Sequence, residues 1–124
     1  IKTVHEGGTA GWDMFIPGKQ FEQSIVDAWN EFYGLDCKNV WISRIHPGRF
    51  APIHWDVHDN EENIPDCPRY HCHIGSPQWG HIFIAGNETF YNIPQGATYE
   101  WEDRKIWHAG TNCGIVPKYI WNAW

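Results

Sequence analysis

The stretch Asn39–Asp56 reads NVWISRIHPGRFAPIHWD, and it decides how the rest of the chain is interpreted. Its first part, Asn39–His46, is rich in residues that favour β-strands, and the Pro-Gly pair that follows breaks the strand. An alternating pattern then resumes over Pro52–His58 and predicts a second strand. The stretch therefore predicts two short strands joined by a turn.

Two potential metal ligands stand near the end of this stretch. His54 and Asp56 are two residues apart, so on a strand both side chains point to the same face and can reach one metal ion. A third ligand would have to come from elsewhere in the chain, and two histidines with one carboxylate are typical of non-haem Fe(II) oxygenases. A hydrogen bond between His54 and Asp56 on a half-exposed strand satisfies the same spacing.

The chain before this stretch predicts one helix, at about residues 18–33. Pro17 suits its entry and Gly34 suits its end. Its apolar side chains recur at helical spacing and form one stripe, which consists of Phe21, Ile25, Ala28, Trp29 and Phe32. We expect this stripe to pack on an apolar surface.

The chain after this stretch predicts an acidic surface loop at 59–68 and then more short strands: Arg69–Gly75, His81–Ala85, Thr89–Ile93, Thr98–Trp101 and Val116–Trp124. Gly and Pro mark turns between them, one of which is Gly110–Gly114. Many short strands favour a sandwich or barrel over a parallel sheet. We expect residues 1–124 to form one domain, because the length fits a single core.

Composition narrows the range of partners. Nine Trp, six Phe and five Tyr give an aromatic content of 16%, which favours a packed globular chain. Nine Lys and Arg against fifteen Asp and Glu argue against nucleic acid as a partner. No run of the sequence approaches the roughly 20 apolar residues of a membrane span, so we expect no membrane association.

The four cysteines, Cys37, Cys67, Cys72 and Cys113, form no C-x-x-C pair. Two disulfides are arithmetically allowed, but a core this aromatic does not need them. We therefore favour free thiols and a cytoplasmic location.

Four segments resemble, in order, the aspartyl/asparaginyl β-hydroxylase family of 2-oxoglutarate (2OG)- and Fe(II)-dependent oxygenases. The segment 43–56 is similar to the family pattern S-x-x-x-P-G-x-x-x-x-x-H-x-D. Further on, Arg69–Gly75 resembles the strand R-x-R-x-H-L-G, and Asn87–Thr89 resembles the turn N-E-T. Finally, Tyr99–His108 is similar to the segment that ends in the distal metal histidine.

This resemblance implies roles for individual residues. His54, Asp56 and His108 would be the iron ligands. Ser43 and Lys118 would bind the distal carboxylate of 2OG, and His71 and His73 would lie beside it. The family usually has Arg at the position of Lys118, so the charge is kept but the planar bidentate fork is lost. It tends to have Arg at the position of His71 too, so a contact there would depend on pH.

Two residues are candidates for the substrate. Arg69 suits a substrate carboxylate at the mouth of the site, and pairing with the acidic loop 59–66 is an equally good interpretation. Trp79 suits the wall of a substrate pocket, but core packing is the favoured interpretation.

The fold that the resemblance implies is mainly β. It is a double-stranded β-helix, a jelly-roll or cupin-like barrel at residues 39–124, with the helix packed outside. The implied function is a dioxygenase that uses Fe(II), 2OG and O2 to hydroxylate an amino-acid side chain, free or peptidyl and Asp/Asn-like, with release of succinate and CO2. The alternative is a cupin-like metal-binding isomerase or small-molecule binder. The partners would be a small-molecule or peptide substrate, and a homo-oligomer is compatible with the aromatic content.

Overall fold

The structure is a computed structural model that describes residues 2–3, 11–56, 67–102 and 105–124. His58 and the acidic loop 59–66 lie outside the described residues. The described elements are β1 (Lys2–Thr3), β2 (Trp12–Phe15), α1 (Gln23–Tyr33), β3 (Val40–Ile45), β4 (Arg49–His54), β5 (Arg69–Ile74), β6 (His81–Ala85), β7 (Glu88–Phe90), β8 (Thr98–Trp101), β9 (His108–Asn112) and β10 (Lys118–Ala123).

The strands form two antiparallel sheets. The order of the six-stranded sheet is β1-β2-β3-β10-β5-β8, and that of the four-stranded sheet is β4-β9-β6-β7. The two sheets face each other, as two hydrogen bonds between them show. The side chain of Asn112 donates to the carbonyl of Ile45, and that of Lys118 donates to the carbonyl of Ile82. Within the described strands no ladder joins the two sheets into a closed barrel. The mainly β architecture with one helix is confirmed, whereas the closed barrel is not seen.

Helix α1 packs on the outer face of the six-stranded sheet. Val26 enters a cluster with Cys37, Val40, Cys72 and Trp121, and the ring of Trp29 lies against the rings of Tyr70 and Trp121. The side-chain amide of Asn30 donates to the Cys37 carbonyl, and its oxygen accepts from the Cys37 N–H, which fixes the helix against the following loop. The sequence predicts that the helix packs through an apolar stripe on an apolar surface. The structure shows such packing, but the helix residues that make the contact differ from those of the stripe.

The predicted stripe is wrong in detail. Ile25 is 49% exposed and Phe32 is 81% exposed, while Val26, outside the stripe, is buried. The helix starts at Gln23 rather than near residue 18, because the chain at 17–21 makes a tight turn closed by a hydrogen bond from Gly18 N–H to the Phe21 carbonyl. Gly34 does end the helix, in the left-handed conformation at φ 66° that suits glycine.

The turn predicted at Gly110–Gly114 is also wrong, because β9 runs through Gly110 to Asn112. A Cβ on Gly110 would lie 3.2 Å from a methyl of Ile45 and 3.6 Å from Nζ of Lys118. Glycine therefore serves close packing of the two sheets here, and it does not mark a turn.

All four cysteines are free thiols in the structure. No helix of the described chain is long and apolar enough to span a membrane.

Candidate metal centre

Two histidines meet where neighbouring strands of the four-stranded sheet end and begin. His54 is the last residue of β4, His108 is the first of β9, and the antiparallel register places them opposite each other. The register shifts between Ala51 and His54, next to Pro52, which lacks the N–H that a regular ladder would use. The two imidazole centroids are 4.3 Å apart.

Asp56 completes the cluster from irregular chain, two residues beyond the end of β4. Its Oδ1 lies 3.9 Å from Nε2 of His54 and 3.5 Å from Nε2 of His108. One ligand atom from each residue lies within 4.8 Å of the others. Ligand atoms bound to one ion at about 2.0–2.2 Å are roughly 3 Å apart. A small closure of these side chains is therefore enough to hold a metal ion.

Hydrogen bonds to the backbone select the tautomer of both histidines. Nδ1 of His54 lies 2.6 Å from the Pro52 carbonyl oxygen, and Nδ1 of His108 lies 3.0 Å from that of Ile106. A carbonyl oxygen only accepts, so each Nδ1 carries the proton and donates. The lone pair of each Nε2 is left to face Asp56. This is the usual arrangement of metal-binding histidines, whose second nitrogen is held by a hydrogen bond.

Burial keeps His108 neutral. It lowers the pKa of His108, and the nearby His54 and Arg69 lower it further, against the opposing effects of the Ile106 carbonyl and Asp56. A neutral imidazole is the form that binds metals. The environment of His108 therefore favours the protonation state that a ligand needs.

Arg69 holds the carboxylate of the cluster. Its Nε donates to Oδ2 of Asp56 at 3.2 Å, and its Nη1 donates to the Cys67 carbonyl at 2.8 Å. Its side chain is buried, and its guanidinium carbon lies 4.5 Å from the ring centroid of Trp124. Among the residues that the structure describes, the ionic partner of Arg69 is Asp56. The loop 59–66, which the sequence offers as another partner of Arg69, lies outside the described residues. The sequence does contain a signal for the inward position of Arg69. Arg69, His71 and His73 alternate along one strand, so their side chains point to the same face.

The cluster lies in a cleft between the two sheets. The cavity within the cleft measures about 80 Å³, and both sheets contribute to its walls, among them Ser43 and Ile120 from one and Phe83 and Ala109 from the other. Ligand pockets in proteins commonly measure about 300–1,000 Å³. A small organic molecule beside the cluster would therefore require side chains that line the cleft to move apart.

Ser43 presents a hydroxyl to this cleft. Its oxygen accepts hydrogen bonds from Nε1 of Trp41 at 3.1 Å and from Nδ2 of Asn122 at 3.0 Å. A hydroxyl accepts two hydrogen bonds and donates one. Since both acceptor positions are filled, the remaining capacity of Ser43 is to donate, which suits a carboxylate.

Lys118 lies fully buried behind Gly110, and its Nζ donates to the Ile82 carbonyl at 2.5 Å. Burial lowers its pKa to about 7. It shares the inward face of β10 with Ile120, and Ile120 pairs with Ser43 on one side and His73 on the other. Ser43, Lys118 and His73 thus occupy inward positions on the adjacent strands β3, β10 and β5. Ser43 and Lys118 do not bond to each other, because each has its own hydrogen-bond partners.

His71 and His73 are both buried on the inward face of β5. The ring of His71 stacks on Phe83 at 3.9 Å and lines the cleft, while the ring of His73 lies 5.7 Å from that of His81. Burial lowers the pKa of His71 well below its usual value and that of His73 to about 4, and Lys118 adds to both shifts. Both imidazoles are therefore neutral at pH 7.

No protein-family model matches the chain, and no curated protein matches it. Eleven chains of solved structures match, and one is a viral collagen prolyl hydroxylase from Paramecium bursaria Chlorella virus 1, in a 2OG complex. The TM-score is 0.61, with 16% sequence identity over 91% of this chain and 76% of that chain. The two chains share a fold. The match does not test the resemblance to the aspartyl/asparaginyl β-hydroxylase family, because the neighbour is a prolyl hydroxylase.

Trp79 lies away from the cluster. It is 84% exposed in the turn before β6. This turn adjoins the end of β6 where His81 pairs with Asn112, whereas His108 pairs with Ala85 at the opposite end of β6. The ring of Trp101 lies 5.1 Å from that of His108. Trp55 and Trp107 adjoin the ligands in sequence, and their partly exposed rings stack with centroids 5.5 Å apart and planes 6° apart.

Proposed function

We propose that this protein is an Fe(II)- and 2OG-dependent dioxygenase that hydroxylates an amino-acid side chain, free or within a peptide. The observation that carries the proposal is the convergence of His54, Asp56 and His108 in a cleft between two sheets. The fold shared with a 2OG-bound hydroxylase supports it.

The donor set fits Fe(II). Two histidines and one carboxylate are the protein ligands of non-haem Fe(II) oxygenases, and they leave positions open for other ligands. Both Nε2 atoms and Oδ1 of Asp56 point to one region, and the Nδ1 atoms are occupied by backbone carbonyls. Iron bound here with 2OG and O2 would supply the oxidising chemistry that protein side chains lack.

We infer that the distal carboxylate of 2OG would bind at the inner end of the cleft, where Ser43 and His71 line the cavity and Lys118 and His73 are buried outside its lining. Ser43 has a hydrogen to donate, and Lys118 is a buried amine whose only hydrogen-bond acceptor within the described chain is the Ile82 carbonyl. His71 and His73 lie on the neighbouring strand as neutral donors. A bound carboxylate would favour the charged form of Lys118, because an opposite charge nearby stabilises an ammonium.

The substrate side of the site is less polar. Phe83, Trp101 and Trp124 line the cleft and would exclude water from the reacting centre. Nη2 of Arg69 is buried and has no hydrogen-bond partner among the residues that the structure describes. A carboxylate or carboxamide of an Asp/Asn-like substrate would provide that partner.

The test is a titration of the purified protein with Fe(II) and 2OG in the absence of oxygen. We expect the weak visible charge-transfer band of chelated 2OG, followed by succinate release once oxygen is admitted with a panel of amino acids and peptides. His54→Ala and His108→Ala should abolish both signals. His46→Ala is the matched control, because His46 bonds to Asp13, outside the cluster.

Two results would contradict the proposal. Undiminished succinate formation by the His54 or His108 variant would exclude these residues as ligands. Metal uptake by the wild type without the band would favour the cupin-like isomerase or small-molecule binder.

A further inference from the structure

We infer that Arg69 is a positioning residue, which holds one oxygen of Asp56 so that the other is presented to the metal. This inference deepens the proposed function and rests on the metal centre described above. It concerns a role for Arg69 within the protein, through Asp56, and it is independent of any contact between Arg69 and substrate.

Contacts on the guanidinium fix the side chain of Arg69. Its side chain is buried at the start of β5, where it pairs across the ladder with Trp101 of β8. Nη1 is held by the carbonyl oxygen of Cys67 at 2.8 Å and by its sulfur at 3.3 Å. The guanidinium lies over the ring of Trp124, a contact that favours a desolvated cation. A guanidinium held at Nη1 by Cys67 and on one face by Trp124 keeps Nε in one direction.

The carboxylate of Asp56 needs such support to keep one orientation. It follows β4 in irregular chain, so no ladder hydrogen bonds fix its backbone. The terminal torsion of an Asp side chain is broad and does not by itself select an orientation of the carboxylate. The hydrogen bond from Nε of Arg69 to Oδ2 makes that selection.

The bond to Arg69 determines which oxygen of Asp56 faces the histidines. With Oδ2 engaged by Arg69, Oδ1 is the oxygen near both histidines, at 3.5 Å from Nε2 of His108 and 3.9 Å from Nε2 of His54. Arg69 therefore favours binding of the metal through one oxygen and leaves the second oxygen on the protein side. Removal of groups that orient metal ligands typically lowers metal affinity by about 10–100-fold.

The experiment measures Mn(II) affinity of the metal-free protein, from the electron paramagnetic resonance signal of unbound Mn(II). We expect Arg69→Gln to raise the Kd by about 10–100-fold. Arg69→Lys should recover only part of this loss, because an ammonium keeps the charge but not the planar fork. Arg44→Gln is the matched control: Arg44 also binds an aspartate through Nε, at 2.8 Å to Asp13, but the pair lies outside the metal cluster. Its Kd should equal that of the wild type.

A double-mutant cycle separates positioning from a general structural effect. If Arg69 acts through Asp56, then Arg69→Gln should change the Kd little in an Asp56→Ala background. Thermal unfolding of each metal-free variant establishes that it is folded. If Arg69→Gln is unfolded, Arg69→Lys takes its place in the cycle. A wild-type Kd for Arg69→Gln, or an equal loss in both backgrounds, would overturn the inference. Mn(II) binding without 2OG turnover would overturn the proposed function alone, and absence of Mn(II) binding by the wild type would overturn both.

Discussion

The interior side chains His71, His73, His81 and Lys118 are basic groups kept neutral, or nearly so, by burial. The pKa of each is lowered, and loss of water around the charged form is the main cause. Nε2 of His71 and Nδ1 of both other histidines have no hydrogen-bond partner in the described structure. Buried polar atoms without partners are uncommon and costly. Under the proposed function, the distal carboxylate of 2OG would bring a hydrogen-bond acceptor to the group of histidines near Lys118.

At the residue scale, Lys118→Met is expected to weaken 2OG binding while leaving Mn(II) binding intact. A hydrogen bond to a charged group contributes about 1.5–3 kcal/mol, so the Kd for 2OG should rise by roughly 10–100-fold. Titration of the anaerobic Fe(II) complex with 2OG, followed through its visible band, measures this change. Lys38→Met is the control, because Lys38 pairs with Asp36 on the surface. Equal 2OG affinity of the Lys118 variant and the wild type would contradict a role as anchor.

At the scale of elements, local patterns predicted several strands well, and the reason is visible in the structure. The predicted strands His81–Ala85 and Thr98–Trp101 coincide with β6 and β8, because each alternates between an inward and an outward face. The resemblance proposed His54, Asp56 and His108 as ligands, and these three lie together. Spacing alone could not choose between a metal site and a simple hydrogen bond for His54 and Asp56.

What the sequence could not provide depends on contacts between distant elements. Gly110 was assigned to a turn, because the need for a glycine where β9 faces Lys118 exists only once the sheets are packed. The pairing of Arg69 with Asp56 likewise depends on how the end of β4 approaches β5. The rotation of α1 is set by the aromatic rings of Tyr70 and Trp121 beneath it.

The orientation of α1 gives a prediction that compares two adjacent residues. Val26→Ala should lower the free energy of unfolding by about 2 kcal/mol, because it removes two buried methyl groups at roughly 0.8 kcal/mol each and leaves a small cavity. Ile25→Ala should cost clearly less, since Ile25 is half exposed. Urea unfolding of the two variants measures the difference. A larger loss of stability for Ile25→Ala than for Val26→Ala would instead support the stripe predicted from the sequence.

At the scale of the whole molecule, the six-stranded sheet separates two environments. Its outer face carries α1 and the cluster of Val26, Cys72 and Trp121, while its inner face carries Ser43 and His71 and lines the cleft. Packing of the helix thus contributes stability without contacting the candidate site. The inner face accepts buried amines and imidazoles that reduce stability in the absence of a ligand.

This burial predicts how stability of the metal-free protein depends on pH. The pKa of His73 is about 4 when folded and near 6.5 when unfolded, and that of Lys118 is about 7 when folded and near 10.5 when unfolded. In both windows the unfolded chain binds more protons, so the free energy of unfolding should rise with pH from 4 to 6.5 and again from 7 to 10.5. Urea unfolding across pH measures both rises. Lys118→Met should keep the first rise and lose most of the second, and persistence of the second would exclude Lys118 as its source.

The ion pair between Asp56 and Arg69 also links the two sheets mechanically. His54, Asp56 and His108 belong to the chain of the four-stranded sheet, whereas Arg69 belongs to β5 of the six-stranded sheet. A motion that separates the two sheets would therefore displace the carboxylate of Asp56 and weaken its coordination of a bound metal ion. If a metal ion binds as proposed, a bulky molecule that separates the two sheets on entering the cleft would therefore also lower the affinity of the site for the metal.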